Sequence, residues 1–134
     1  HKGVDFINDS KATNIGATEA ALNGLGAQTP NIVLIAGGDG KGAEFQPLQP
    51  SIRRSVKAVT LIGKDAEKLA QVCAPLVPTI LCTTLAEAID QAAQLAKPGD
   101  TVLLSPACAS LDMFKNYEDR GQQFAQQVER LCRS

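Results

Sequence analysis

The sequence NIVLIA at residues 31–36 is an unbroken apolar run that leads directly into the glycine cluster GGDGKG at residues 37–42. A strand with one face in water would alternate apolar and polar side chains, so this run is typical of a strand covered on both faces. The runs AVTLIG at residues 58–63 and TVLLS at residues 101–105 have the same character. Strands of this kind predict a parallel sheet between two layers of helices.

Helical patterns fill the intervals between the strands. Thr84 and Glu87 have the spacing of a capping box, and a helix is also predicted from about residue 15 to residue 25. Two further helices show apolar stripes at helical spacing, which consist of Ala66, Leu69, Ala70 and Cys73 in one and of Phe124, Val128, Leu131 and Cys132 in the other.

Shorter strands are predicted at residues 4–8 and 79–83, so strand and helix alternate about five times. We therefore predict an α/β, Rossmann-like fold with a mostly parallel sheet of about five or six strands and helices on both faces. In the segment EFQPLQPSIRRS, residues 44–55, Pro47 and Pro50 oppose a long helix, and we predict irregular structure there.

Length and charge restrict the class of protein. The 134 residues suffice for one domain with a real core, and we predict a single domain over residues 1–134. The net charge of −1 comes from evenly spread charges, which predicts no binding to nucleic acid or to a membrane surface. No apolar run approaches the ~20 residues of a membrane span. The chain begins at His1 rather than at a methionine, directly before a strand, so we expect an excised domain of a longer protein.

The cysteines and the histidine also limit the chemistry. No pair of cysteines has C-x-x-C spacing, which favours buried free thiols over a disulfide framework or a zinc site. The only histidine is His1, so the chain has no internal histidine that could activate a serine or cysteine nucleophile.

Three loops leave the predicted carboxyl ends of strands: DSKATN (9–14), GGDGKG (37–42) and SPACASLDMF (105–114). In open parallel sheets, ligands bind outside these ends. The loops at the opposite end, LGAQTP (25–30) and KPGD (97–100), read as plain turns. We therefore expect the functional site where the first three loops meet.

The glycine loop allows three interpretations. The string Gly38-x-Gly40-x-x-Ala43 satisfies the dinucleotide pattern and suggests the alternative of a dinucleotide-binding Rossmann module of an oxidoreductase. That pattern should open a helix on the first strand, whereas this one follows the second. A flexible turn is the second interpretation. The third is an anion site, because Lys41 places a cation among exposed backbone N–H groups.

The other two loops leave alternatives open as well. Lys11, Thr13 and the following helix terminus form an anion site in one interpretation, with Asp9 available to a ribose hydroxyl or a metal. In the other interpretation, Thr13 or Asn14 is only a helix cap. Cys108 resembles a nucleophile on a turn but has no basic partner, so a packed thiol is the stronger interpretation. Ser110 either caps a turn or donates a hydrogen bond to a ligand.

Three strings together resemble the C-terminal domain of the Mur ligases, a family that acts in bacterial peptidoglycan synthesis: INDSKATN (7–14), GGDGK (37–41) and LLSPACASLDMFKNYEDRG (103–121). The first loop lacks the histidine that is usual in sister ligases, and this difference points to D-glutamate as the amino acid. The resemblance implies an ATP-dependent ligase, aided by Mg²⁺, that joins D-glutamate to UDP-N-acetylmuramoyl-L-alanine through an acyl phosphate. It further implies a cytoplasmic, monomeric bacterial enzyme whose N-terminal and central domains are absent here, so that the domain alone is inactive.

The resemblance also implies roles for individual residues. Thr13 and Lys41 match residues that hold the α-carboxylate of D-glutamate. Ser110 and the backbone near Tyr117 match those that hold its side-chain carboxylate, with Leu111 lining the pocket. The catalytic position falls on Lys11, near the glutamate and phosphate groups, and a nucleotide contact falls on Asp9. No metal ligand is expected in this chain.

Overall fold

The structure is a computed structural model that describes residues 2–25 and 29–133. His1 and residues 26–28 of the LGAQTP loop lie outside the described residues. The described strands are β1 (Asp5–Asn8), β2 (Ile32–Gly37), β3 (Val56–Ile62), β4 (Thr79–Leu81) and β5 (Thr101–Leu104). The described helices are α1 (Ile15–Leu25), α2 (Gln49–Ser55), α3 (Ala66–Cys73), α4 (Leu85–Leu95) and α5 (Tyr117–Arg133).

The strands form one parallel sheet in the order β1-β5-β2-β3-β4. The last strand therefore inserts between the first two, with Phe6 paired to Val102 and Val33 paired to Val102 from the other side. This order places the carboxyl ends of β1, β5 and β2 side by side, and these are the strands that precede the three loops selected from the sequence.

The side chains of β2 alternate between two buried faces of the sheet, which explains why its sequence is apolar throughout. Ile32 and Leu34 belong to a core cluster that includes residues of α1, α2 and α3, whereas Val33 and Ile35 belong to a cluster with α4 and α5. All six residues of β2 are buried. The prediction of an α/β, Rossmann-like sheet with helices on both faces is confirmed, with five strands in the described part of the chain.

The prediction of irregular structure at residues 44–55 is wrong. A 3₁₀ turn occupies Gln46–Leu48, and the short helix α2 follows it at once. Pro47 and Pro50 each lie in the first turn of their element, where a missing N–H leaves no hydrogen bond unmade. The prolines therefore limit the length of the helices without preventing them.

The predicted capping box at Thr84 and the predicted apolar stripe of the last helix are each confirmed only in part. The Thr84 hydroxyl caps α4 by accepting from the N–H of Glu87 at 3.1 Å, but the Glu87 carboxylate accepts from the Thr83 hydroxyl at 3.0 Å rather than completing the box. Cys132 is exposed and does not join the apolar face of α5, on which Phe124 is buried. No helix among the described residues is long and apolar enough to cross a membrane.

Candidate functional site

The three loops at the carboxyl ends of the strands are bonded to one another through their backbones. The N–H of Asp9 donates to the carbonyl of Leu104 at 2.8 Å, and the N–H of Ala107 donates to Ala12 at 3.0 Å. On the other side, Asp39 and Ala109 form a two-way antiparallel bridge with N–O distances of 3.0 and 2.9 Å. The loop after β5 therefore lies between the DSKATN loop and the glycine loop and holds both in place.

The DSKATN loop makes a tight path from β1 to α1. The Asn14 carboxamide accepts from the N–H of Ala17 at 2.9 Å, so Asn14 rather than Thr13 caps the helix. Thr13 is half-buried and Lys11 is exposed. Asp9 has one carboxylate oxygen 3.3 Å from the Ser105 hydroxyl. The cap interpretation is thereby removed for Thr13.

The glycine loop uses its glycines for contact with neighbouring backbone. A Cβ on Gly38 would lie 2.4 Å from the carbonyl oxygen of Ala109, and a Cβ on Gly63 would lie 2.7 Å from the Cα of Gly38. The backbone of Gly38 thus packs against the loop after β5, and the next α-helix begins only at Gln49 rather than directly after the glycines. This packing disfavours the dinucleotide interpretation.

Lys41 lies at the exposed tip of the glycine loop in a left-handed conformation, with φ of 53°. Its N–H donates to the Asp39 carboxylate at 2.9 Å, which supports a conformation that a lysine seldom adopts. No ion pair between described residues involves the Lys41 ammonium group.

In the loop after β5, burial distinguishes Cys108 from Ser110. Burial raises the pKa of the Cys108 thiol to about 12, and the carboxylate of Asp65 adds to this effect. A thiol with such a pKa is a poor nucleophile at neutral pH, so the interpretation of Cys108 as a packed residue is favoured. Ser110 is 4% exposed, and no hydrogen bond between described residues involves its hydroxyl. Instead its carbonyl accepts from Met113 and Phe114, so the hydroxyl is not needed as a cap.

Leu111 and Tyr117 extend the site beyond Ser110. The Leu111 side chain is 68% exposed and the Tyr117 side chain is 43% exposed. Tyr117 is the first residue of α5, and it lines an open groove of about 440 Å³ together with Ser10 and Lys11. The structure thus brings the backbone of Tyr117 beside the DSKATN loop, while the exposed side chain of Leu111 stays clear of the core.

A fourth loop, Gly63–Asp65 after β3, belongs to the site and was missed by the sequence analysis. One carboxylate oxygen of Asp65 accepts from the N–H of Gly40 at 2.6 Å, and the N–H of Asp65 donates to Gly38 at 2.9 Å. Asp65 occupies the N-cap position of α3, yet its side chain makes no cap hydrogen bond there. The only signal in the sequence was a lysine and an aspartate directly after a buried strand.

Arg120 was also missed, although it lies within one of the quoted strings. Its side chain is 1% exposed and donates to the Ser10 hydroxyl at 3.0 Å, to the Ser10 carbonyl at 2.6 Å and to the Cys108 carbonyl at 3.0 Å. Burial lowers the pKa of the guanidinium to about 10. An arginine on an otherwise polar helix turn is expected at the surface, so its burial could not be read from the pattern.

The site therefore combines cations, hydroxyls and the N-terminus of α5 at one edge of the sheet. Lys11 and Lys41 are exposed and Ser110 carries a hydroxyl with no partner among the described residues. Such groups bind carboxylates or phosphates through charge-assisted hydrogen bonds. They offer no nucleophile with an adjacent base, so the chemistry that the site favours is binding and orientation of an anionic ligand.

Comparison with known proteins identifies relatives of the whole chain. It is 58% identical over 125 residues to a UDP-N-acetylmuramoylalanine--D-glutamate ligase from Pseudomonas putida, which covers 92% of this chain and 28% of the relative. Proteins of the same name from Saccharophagus degradans and Bordetella parapertussis are 62% identical over 123 residues and 57% identical over 130 residues. These matches cover 92% and 96% of this chain and 27% and 25% of the relatives. The chain thus spans less than a third of the length of these relatives.

A family model described as Mur ligase, glutamate ligase domain, matches residues 1–108. The match includes the DSKATN and glycine loops and ends at Cys108, within the loop that lies between them. Because this match covers most of the 134 residues, the chain belongs to the family of Mur ligase glutamate ligase domains.

Proposed function

We propose that this chain is the D-glutamate-binding C-terminal domain of a ligase that adds D-glutamate to UDP-N-acetylmuramoyl-L-alanine. The names of the relatives support the substrate and the reaction. In this proposal, residues 1–134 form a single domain, and the remaining part of the ligase, more than two thirds of its length, supplies N-terminal and central domains. The enzyme acts as a monomer in the bacterial cytoplasm, in the synthesis of the cell wall.

The observation that carries the proposal is the joining of three loops at neighbouring strand ends. D-glutamate brings two carboxylates, and these loops present two exposed lysines and two hydroxyl groups at one edge of the sheet. Thr13 and Lys41 hold the α-carboxylate in this proposal. Ser110 and the backbone at Tyr117 hold the side-chain carboxylate, and Leu111 covers the carbon chain.

The other two assigned residues face the reacting groups. Lys11 lies next to the α-carboxylate site and acts as the catalytic cation beside the glutamate and the phosphate groups. Asp9 accepts a hydrogen bond from a ribose hydroxyl of ATP or ADP, since among the described residues its carboxylate is held only by one hydrogen bond of 3.3 Å, from Ser105. The amine of D-glutamate is the nucleophile, so this domain needs no nucleophile of its own.

In the proposed reaction, ATP phosphorylates the carboxylate of UDP-N-acetylmuramoyl-L-alanine, and the D-glutamate amine then displaces phosphate from the acyl phosphate. The domain contributes orientation, which supplies ~7–11 kcal/mol of a barrier when two reactants are held in place. No group of three or more His, Cys, Asp or Glu side chains that could hold a metal ion occurs among residues 2–25 and 29–133.

Titration of the chain with D-glutamate, followed by NMR of its backbone amides, tests this proposal. We expect shifts at Thr13, Lys41, Ser110 and Tyr117, with little change at the amino ends of the strands. A matched titration with NAD provides the comparison for the oxidoreductase alternative. Shifts with NAD but none with D-glutamate would contradict the proposal.

A further inference from the structure

Arg120 is a buried cation that connects the two halves of the carboxylate site. Its guanidinium donates to both the hydroxyl and the carbonyl of Ser10, and also to the carbonyl of Cys108. Ser10 immediately precedes Lys11, and Cys108 lies two residues before Ser110. One planar group thus bonds to the loop proposed to bind the α-carboxylate and to the loop proposed to bind the side-chain carboxylate.

Ser10 extends this connection to the start of α5. Its hydroxyl accepts from Arg120 Nε and donates to the carbonyl of Tyr117 at 2.5 Å. Ser10 is 5% exposed, and its own N–H donates to the Asn8 carboxamide at 3.1 Å. The DSKATN loop, the loop after β5 and the N-terminus of α5 are therefore joined through two side chains.

The partners of Arg120 are unusual for a buried arginine. All three are neutral oxygens, and none of the ion pairs between described residues involves Arg120. Burying a cation without a directly paired carboxylate is unfavourable, and the Asp112 carboxylate offsets this only in part, because burial still lowers the pKa of Arg120 to about 10. The guanidinium is hydrogen-bonded to both of the loops that are proposed to receive the two carboxylates.

We propose that Arg120, acting through Ser10, is a positioning residue that fixes the separation between the two carboxylate-binding halves of the site and so selects a dicarboxylate of the length of D-glutamate. This inference rests on the proposed function. The rigid fork of a guanidinium suits the role because it can bond to two loops at a fixed angle, which the single ammonium group of lysine cannot do.

The test is steady-state kinetics of the full-length ligase with Arg120→Met, Arg120→Lys and Ser10→Ala. We expect Arg120→Met to raise KM for D-glutamate by about tenfold or more, as for the loss of hydrogen bonds to a charged group. KM for ATP should stay unchanged, and the preference for D-glutamate over D-aspartate, measured as kcat/KM, should fall. Arg120→Lys should recover only part of the loss, and Ser10→Ala should raise KM for D-glutamate by a smaller factor.

Arg53→Met is the matched control, because Arg53 is exposed on α2, close to the amino end of β3. If Arg120→Met does not fold, Ser10→Ala still tests the inference, since it removes one buried hydroxyl and leaves the guanidinium in place. The inference would be overturned if Ser10→Ala and every soluble Arg120 variant kept the wild-type KM for D-glutamate and the wild-type preference for D-glutamate over D-aspartate. The proposed function would still stand in that case, provided that the wild type turns over D-glutamate. Absence of D-glutamate turnover by the wild type would instead overturn the proposed function and this inference with it.

Discussion

Charged side chains are arranged differently at the two ends of the sheet. At the amino ends of the strands, the Lys57 ammonium lies 2.6 Å from the Asp100 carboxylate, so the two charges offset each other. At the carboxyl ends, the carboxylates of Asp39 and Asp65 accept from backbone N–H groups of the glycine loop, and neither forms a contact with Lys11 or Lys41 among the described ion pairs. The ion pair at the amino end stabilises the fold, whereas Lys11 and Lys41 at the carboxyl end form no ion pair among the described residues and are available to a ligand.

The largest expected effect comes from removing one of these available cations. Lys41→Ala in the full-length ligase should raise KM for D-glutamate by about tenfold to a hundredfold, because it deletes a charge-assisted hydrogen bond to a carboxylate. KM for ATP should change little. Steady-state kinetics with each substrate varied in turn would measure both values.

Lys97→Ala is the matched control at the amino end, where Lys97 is exposed in the KPGD turn. It should leave both KM values unchanged. If Lys41→Ala had no more effect on KM for D-glutamate than Lys97→Ala, the contrast between the two ends would lose its functional meaning.

The difference between the ends also explains which features could be predicted from the sequence. The apolar runs of β2, β3 and β5 and the small residues after them sufficed to predict the sheet and the loops at its carboxyl edge. Local spacing could not place Asp65 or Arg120, because their partners Gly40 and Ser10 are 25 and 110 residues away in sequence. Such contacts depend on the strand order, and no pattern along the chain indicates that β5 inserts between β1 and β2.

Asp65→Ala tests how far the conformation of the glycine loop depends on the hydrogen bond from Gly40 to the Asp65 carboxylate, which we call the Asp65 anchor. Loss of the 2.6 Å hydrogen bond to Gly40 should loosen the loop that carries Lys41 and raise KM for D-glutamate by roughly severalfold to tenfold. Stability should fall only slightly, because the Asp65 side chain does not cap α3. Kinetics and thermal unfolding of the same variant would separate the two effects.

The control for this prediction is Glu67→Ala, two residues further on and exposed in the first turn of α3. We expect its KM for D-glutamate to equal that of the wild type. An equal rise in both variants would mean that the start of α3, rather than the Asp65 anchor, supports the site.

At the amino end, Asp100→Asn should affect stability and leave substrate binding unchanged. Burial by itself would raise the pKa of Asp100, but hydrogen bonds from Lys57 and Lys97 outweigh it and hold the pKa below its ordinary value. A carboxyl group with a lowered pKa stabilises the folded state above its unfolded pKa of about 3.9, and this contribution disappears as pH falls through the folded value.

Asparagine can still accept from the N–H of Lys97, so the substitution removes mainly the ion pair with Lys57. We expect a loss of about 0.2–1 kcal/mol in the free energy of unfolding at pH 7, as for other ion pairs near the surface. The difference from wild type should begin to shrink as pH falls below about 3.9 and should disappear only below the folded pKa of Asp100. A difference that stayed constant from pH 7 to pH 3 in urea unfolding would contradict this origin.

The smallest functional effect is expected from alkylation of the cysteines. Cys108 at the carboxyl end is buried, with a thiol pKa raised to about 12, whereas Cys132 near the end of α5 is exposed. Iodoacetamide at pH 8 should therefore modify Cys132 first, as mass spectrometry of peptides would show, and leave KM for D-glutamate unchanged. The reactivity of each thiol thus measures how accessible its end of the sheet is. Rapid loss of activity that follows modification of Cys108 would require an accessible thiolate within the binding loop. Cys108 would then have to be reconsidered as a nucleophile.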